Sequence, residues 1–384
     1  MQVRTRRRLH RIRRHVEQSS PPAACRRVGV GGVAAAPSGA STLHPSRSVE
    51  LGADGLTPAH VRRYLDDGFL AIRNLLPRAA LQPLIVEMQQ KVGVAARAAV
   101  KEGVLDPGNT FPDLPFETRL VQICRACSEH NWAWRHFFWE QSIYDQIQKP
   151  RTPGMFHLRT WPGILDVVQS VIGPEIFAHP QYNVRCKMPE QVETEIPWHQ
   201  VSKAPSLPAT HTHPPPRLGR VCKHAGCAKL RLVLDQDLGS LDSEEAPDTL
   251  IVNLWIPLVD ARVEHGCMEM ISGTQSGQLL AHDGQTQLPD GRLNAGIKEE
   301  NLPAGEVVAG ELNVGDVLLT AERLVHRSLP NTSSIVRWSV DTRYSALGQP
   351  TGRADVPGFV ARSRRHPERV AQSADDWNRA AEAG

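Results

Sequence analysis

The spacing of hydrophobic positions changes once along the chain, near residue 175. Upstream it is helical. Thr57 precedes PAHVRRYLDDGF, so a Thr N-cap, a Pro at the first helical position and apolar Val61, Tyr64 and Leu65 predict a helix that Gly68 ends. FLAIRNLL then reads as a short strand and 78–102 as a second helix. Residues 116–148, with Trp132, Trp134 and Trp139, read as a helical region, and WPGILDVVQSVIG as a helix stopped by Gly173. Ordered structure is expected to begin near Leu56.

Downstream the period is two. IFAHPQYNVRCK, TLIVNLWIPL, GDVLLTAERLVHRS and SIVRWSVDTRYS alternate or carry β-branched and aromatic residues, and turn residues separate them. Helices followed by strands, without βαβ alternation, predict an α+β, mostly β chain: an antiparallel barrel or sandwich flanked by amino-terminal helices. No internal repeat is present. Residues 201–236 break the pattern. They have no period, four Pro within SLPATHTHPPP and basic residues throughout, and they separate two well-patterned segments.

Composition adds exclusions. The chain has 384 residues, 40% of them hydrophobic and 22% charged, which suits a globular fold. No run of ~18 apolar residues is present, which excludes a membrane-spanning helix. Net charge is +3, but residues 1–50 hold ten Arg against Glu17 and Glu50, leaving the rest mildly acidic. A basic head on an acidic body is not a nucleic-acid-binding domain. Residues 1–52 read as a disordered basic head, similar in composition to an organelle transit peptide and lacking the apolar core of a secretion signal. The expectation is therefore an intracellular protein, cytoplasmic or organellar, with residues 53–384 as its domain. Seven scattered Cys do not form a disulfide framework.

Candidate chemistry lies at His199 in PWHQ, at Asp237 just beyond the irregular segment, and at His326 in RLVHRS, with Arg337 eleven residues later. Two imidazoles and one carboxylate make a facial triad that leaves three positions open on octahedral iron(II) for a bidentate oxoacid and dioxygen. An Arg beyond the distal His suits a two-pronged clamp on the oxoacid's far carboxylate. A single His near a strand end is usually structural; the surrounding text is what makes these residues a constellation.

WHQ, LIVNLWIPLVDA, HGCMEMISGTQSGQLLAH and GDVLLTAERLVHRSLPNTSSIVRWSVDTRY, in that order, resemble the phytanoyl-CoA dioxygenase family of iron(II)/2-oxoglutarate oxygenases. The resemblance extends to LTPAHVRRYLDDGFLAIRNLL and PTGRADVPGFVARSRRHPERV and spans roughly 56–380 apart from 201–236. It implies a double-stranded β-helix (jelly-roll, cupin-like) core. It also implies an iron(II)- and 2-oxoglutarate-dependent dioxygenase that hydroxylates a small-molecule or lipid-like substrate. His199 then matches the proximal iron ligand, His326 the distal one and Arg337 the 2-oxoglutarate clamp. Alternation places Arg337, Ser339, Asp341 and Arg343 on one strand face and Val336, Trp338 and Val340 on the other. Ser339, Ser328 and Lys187 are further candidates for the cosubstrate carboxylate. Asn253 and Trp255 share a face of LIVNLWIPL, with Trp255 read as barrel packing.

One position departs from the family. The acid expected two residues after the proximal His is Val201, which offers no lone pair. Removing 201–236 gives PWHQ-DLGSLDSEEAPDTLIVNLWIPL and restores His-x-Asp with Asp237; Asp235 is the reserve ligand. Val-Ser-Lys can be encoded as a splice-donor-like sequence and Gln236 as CAG, so the insert, whose length is in frame, reads as a translated retained intron. Two alternatives follow from the departure: a non-catalytic jelly-roll binding protein with a disrupted metal site, and a halogenase that uses the missing acid to admit halide. The former is the runner-up. His211, His213, Cys222 and Cys227 have spacings permissible for zinc but fall in the insert. Cys124-Arg-Ala-Cys127 has redox spacing in a helical context, where buried structural Cys is expected.

Overall fold

The computed structural model describes residues 41–43, 47–52, 55–127, 149–189, 196–200, 249–282, 284–287, 293–351 and 357–382. Its helices are α1 (Pro58–Asp67), α2 (Arg78–Lys101), α3 (Phe116–Ala126), α4 (Pro153–Arg159), α5 (Pro162–Ile172) and α6 (Ala374–Glu382). The strands before the period change are β1 (Ser41–Thr42), β2 (Ser48–Glu50) and β3 (Phe69–Arg73). Beyond it lie β4 (Ile176–Lys187), β5 (Ile196–His199), β6 (Val252–Pro257), β7 (Met268–Ile271), β8 (Gly284–Gln287), β9 (Leu293–Gly296), β10 (Val307–Gly310), β11 (Val317–Ala321), β12 (His326–Ser328), β13 (Arg337–Ala346) and β14 (Phe359–Arg362).

The helices follow the local signals. Thr57 Oγ1 accepts the His60 backbone N–H at 3.3 Å, and His60 Nδ1 accepts the Thr57 N–H in return. Gly68, at φ 84°, supplies the left-handed residue that ends α1. Val61, Tyr64 and Leu65 are its buried face, as their spacing predicts. The expected helix over 116–148 is α3 as far as Ala126; residues 128–148, with the three Trp, lie outside the described residues.

Among the described residues the strands form one sheet ordered β14-β4-β13-β6-β11-β3-β2 and another ordered β1-β10-β7-β12-β5, with β8 and β9 paired separately. The outer face of the larger sheet carries the main core. Val336, Trp338 and Val340 from β13 and its approach, Leu254 and Ile256 from β6, and Leu70 and Ile72 from β3 pack against helical residues such as Leu84, Met88 and Val168. Trp338 stacks on Phe116 at 4.8 Å. A second apolar cluster joins the two sheets: Phe69, Ala71, Trp255 and Leu318 from the larger meet Met270, Val308 and Ala309 from the smaller. The alternation predicted for β13 therefore separates a helix-covered face from one that looks between the sheets.

Two boundaries differ from the sequence reading. β1 and β2 lie upstream of Leu56: β2 pairs parallel with β3, and β1 with β10. Backbone pairing at a sheet edge needs no hydrophobic period, so the pattern did not reveal it. GDVLLTAERLVHRS, read as one segment, is two strands, with β11 in the larger sheet and β12 in the smaller. Burial of Leu324, Val325 and His326 continues across the turn at Glu322 and Arg323, so the pattern runs through the corner. Among the described residues no helix is long and apolar enough to cross a membrane.

Candidate metal centre and cosubstrate pocket

β12 pairs antiparallel with β5, and His326 stands directly opposite His199. Their ring centroids are 4.1 Å apart. His199 Nδ1 lies 2.9 Å from the Pro197 carbonyl and His326 Nδ1 2.8 Å from the Leu324 carbonyl. A carbonyl oxygen only accepts, so each Nδ1 carries a proton, and in the neutral ring Nε2 then holds the lone pair. This is the tautomer of metal-ligating imidazoles whose orientation is held by the backbone. Burial pulls the His326 pKa down to about 4, so the ring is neutral at physiological pH. Met270 stands beside His326 in β7 and belongs to the cluster between the sheets, which places His326 on that interior face.

The larger sheet presents the cationic wall. Arg337 pairs with Lys187, Ser339 with Arg185, Asp341 with Asn183 and Trp255, and Arg343 with Asn253. Paired residues share a sheet face, so all look toward the interior. Lys187 Nζ donates to Ser328 Oγ at 2.9 Å, joining β4 to the strand that carries His326. The Arg337 guanidinium lies over the Trp255 ring at 5.2 Å and donates through Nη1 to the Gly266 carbonyl at 3.2 Å. Trp255 thus packs, as expected, and is also the shelf for Arg337. Burial, followed by the neighbouring Arg185, pulls Arg337 down to about 10, leaving it cationic at neutral pH. Arg185 pairs with Asp341 at 2.7 Å, and Arg343 Nε donates to Asn253 Oδ1 at 2.8 Å.

The donor set fits a bound carboxylate. Arg337 Nε and Ser339 Oγ are buried without a hydrogen-bond partner. Unmade hydrogen bonds at buried polar atoms cost about 1–3 kcal/mol each, and an oxygen-bearing ligand would offset this. The two Nε2 lone pairs likewise fit a metal ion.

His199, His326, Arg337, Lys187, Ser328 and Ser339 therefore come to one interior. Asp237, its reserve Asp235, Val201 and the His and Cys of the insert lie outside the described residues. Among the described residues no group of three His, Cys, Asp or Glu could hold a metal. Cys124 and Cys127 are free thiols raised by burial, as structural cysteines are.

Two contributors escaped the sequence reading. Gly266, at φ 76°, brings its carbonyl to Arg337; a Cβ there would lie 2.4 Å from the Leu329 carbonyl and 2.8 Å from Lys187 Cε. Its place in HGCMEM was the available signal. Gln200, one residue after His199, is buried, and its side-chain amide bonds Arg323, Gln278 and Leu280.

A family model described as phytanoyl-CoA dioxygenase matches residues 64–339, a span that includes both histidines and Arg337. The chain belongs to the phytanoyl-CoA dioxygenase family. The expectation of iron(II) with 2-oxoglutarate stands with that membership. The fold is similar to the apo form of ThoJ, a non-heme monooxygenase, at 16% identity over 84% of this chain and 94% of that one, with a TM-score of 0.46. It is similar also to EctD from S. alaskensis solved with 2-oxoglutarate and 5-hydroxyectoine, at 13% identity over 86% and 93%, with a TM-score of 0.42. No curated protein matches the chain by sequence.

Proposed function

We propose that the protein is an iron(II)- and 2-oxoglutarate-dependent dioxygenase that hydroxylates a small molecule. The observation that carries this reading is the pair of opposed His199 and His326 side chains, Nε2 lone pairs kept, beside the buried Arg337 clamp. A double-stranded β-helix core is supported by the alternation of strands between sheets. β4, β6, β11 and β13 lie together in the larger sheet, and β5, β7, β10 and β12 in the smaller.

In this reading His199 and His326 hold the metal with Asp237 as third ligand, and Arg337 holds the far carboxylate of 2-oxoglutarate with Ser339. When bound, the metal and cosubstrate supply oxidative decarboxylation and transfer of an oxygen atom to substrate. The protein orients both reactants, keeps each imidazole in its ligating tautomer and excludes water between the sheets. The Lys187–Ser328 bond ties the clamp wall to the His326 strand, so cosubstrate and metal positions move together. Of a polar and a lipid-like substrate we favour the polar one, because Arg185, Asp341, Arg343 and Asn253 lie on the interior face and offer polar partners that an aliphatic chain cannot use.

Asp237 follows a 36-residue insert at 201–236. Loop closure adds only ~0.6 kcal/mol per doubling of length, so the insert still allows Asp237 to return beside His199. A ligand two residues after His199 is placed more tightly than one separated from it by the insert, and ~1 Å of misplacement costs about a hundredfold in rate. The test is iron-dependent succinate formation from 2-oxoglutarate by the full chain and by a chain lacking 201–236. The excised chain is expected to be faster by on the order of a hundredfold, and Asp237→Ala in it to abolish turnover. An excised chain slower than the full one would make the insert a working part of the protein. Absence of turnover in both, with no metal uptake, would favour the non-catalytic binding barrel, the reading that Val201 in the acid position supports.

A further inference from the structure

Gln200 sits where β5 ends, next to His199, and is 1% exposed. Its side-chain amide bonds the backbone of two other segments. Nε2 donates to the Arg323 carbonyl at 2.8 Å and to the Gln278 carbonyl at 3.3 Å, and Oε1 accepts the Leu280 N–H at 2.8 Å. The Gln200 backbone N–H donates to His282 Nε2 at 3.0 Å, and His282 Nδ1 lies 3.1 Å from the Leu280 carbonyl. The second contact makes Nδ1 the donor and Nε2 the acceptor, so both ring nitrogens of His282 are used.

Arg323 stands three residues before His326, in the turn that leads into β12. One buried side chain therefore links the residue after the first histidine to the turn before the second, and fastens 278–282 to both. The β5–β12 pair that aligns the histidines is short and carries a register irregularity between His326 and Ser328. A short irregular pair fixes spacing poorly by itself, and a fully bonded amide across its ends removes that freedom.

We infer that Gln200 is a positioning residue: it sets the separation of His199 and His326. The inference rests on the proposed metal centre in taking the two histidines as ligands. No other side chain has the same reach and inventory, two donors and an acceptor in one plane. Glu keeps the acceptor for Leu280 and loses both donors. Leu has similar volume and loses all three bonds.

The experiment uses the full chain with Gln200→Glu and Gln200→Leu, read by amide hydrogen exchange without metal and by Co(II) affinity. Exchange is expected to accelerate in both 278–282 and 323–326, and Co(II) affinity to fall by about 10–100-fold, the usual effect of losing a group that orients metal ligands. Exchange faster in 278–282 alone, or Co(II) affinity within about twofold of the parent, overturns the inference. If neither variant folds, the unaltered chain decides. The Gln200 and Leu280 amides, both donated into this arrangement, should exchange together with the amides of the β5–β12 pair; rates typical of exposed loops overturn the inference. A parent that takes up no Co(II) counts against the metal centre itself, while the exchange pattern still decides whether Gln200 couples the two segments.

Discussion

His326 faces His199 across a single antiparallel pair, 127 positions later in the chain, with ring centroids 4.1 Å apart and both Nδ1 atoms committed to backbone carbonyls. Backbone pairing brings the two imidazoles opposite one another.

Replacing His326 with Ala is expected to lower metal affinity by more than the roughly 10–100-fold that loss of a supporting group costs. Titration with Co(II) checks this, and unchanged affinity would remove His326 from the site. The metal-free protein also has a pH signature. His326 stays neutral down to about pH 4 when folded but takes a proton near 6.5 when unfolded, so the folded state loses stability as pH falls through that window. The stability advantage of the parent over His326→Ala should shrink by about 1–2 kcal/mol between pH 6.5 and 5, measured by urea unfolding.

Arg337→Ala should weaken 2-oxoglutarate binding by on the order of 3–5 kcal/mol while leaving metal affinity nearly unchanged, because it strips the charged partner from a buried carboxylate. Arg337→Lys should recover only part of this. It keeps the charge but loses the two-pronged fork and the planar contact with Trp255. Calorimetry with 2-oxoglutarate and Co(II) separates the two effects; unchanged affinity in Arg337→Ala would move the clamp, with Arg343 next to test.

Gly266→Ala places a Cβ against the Leu329 carbonyl and Lys187 Cε at a backbone angle that L residues avoid. The variant is expected to lose about 1–3 kcal/mol of stability and to bind 2-oxoglutarate more weakly, since the displaced carbonyl is the one that Arg337 holds. Chemical denaturation and 2-oxoglutarate titration check the two parts.

Burial pushes the Cys186 and Cys267 thiols up to about 12, so neither forms an appreciable thiolate at pH 8. Both should resist iodoacetamide in the native protein and react in denaturant, as peptide mass spectrometry would show. Rapid native labelling of Cys267 would mean that the interior between the sheets opens to solvent, and of Cys186 that the helix-covered face does.

His199 and His326 as a candidate pair, and the strand face that carries Arg337 and Ser339, were legible in the sequence because each depends on local text. PWHQ and LVHRS are short signatures. The alternation of Arg337, Ser339 and Asp341 with Val336, Trp338 and Val340 follows from the two-residue repeat of a strand. The Thr57 cap, the Gly68 stop and the bounds of β4 are equally local.

What tertiary structure alone decided depends on partners far away in sequence. The chain passes from β11 to β12 by changing sheets, and no period marks the corner because burial is continuous on both sides of it. The edge strands β1 and β2 are held by backbone bonds that any side chain permits. The sequence assigns no role to Gln200, whose amide bonds residues 78 to 123 positions away, or to Gly266, whose carbonyl meets Arg337. Side-chain chemistry and strand period are written in consecutive residues. Which carbonyl an amide reaches is set by chain crossings that only the folded arrangement specifies.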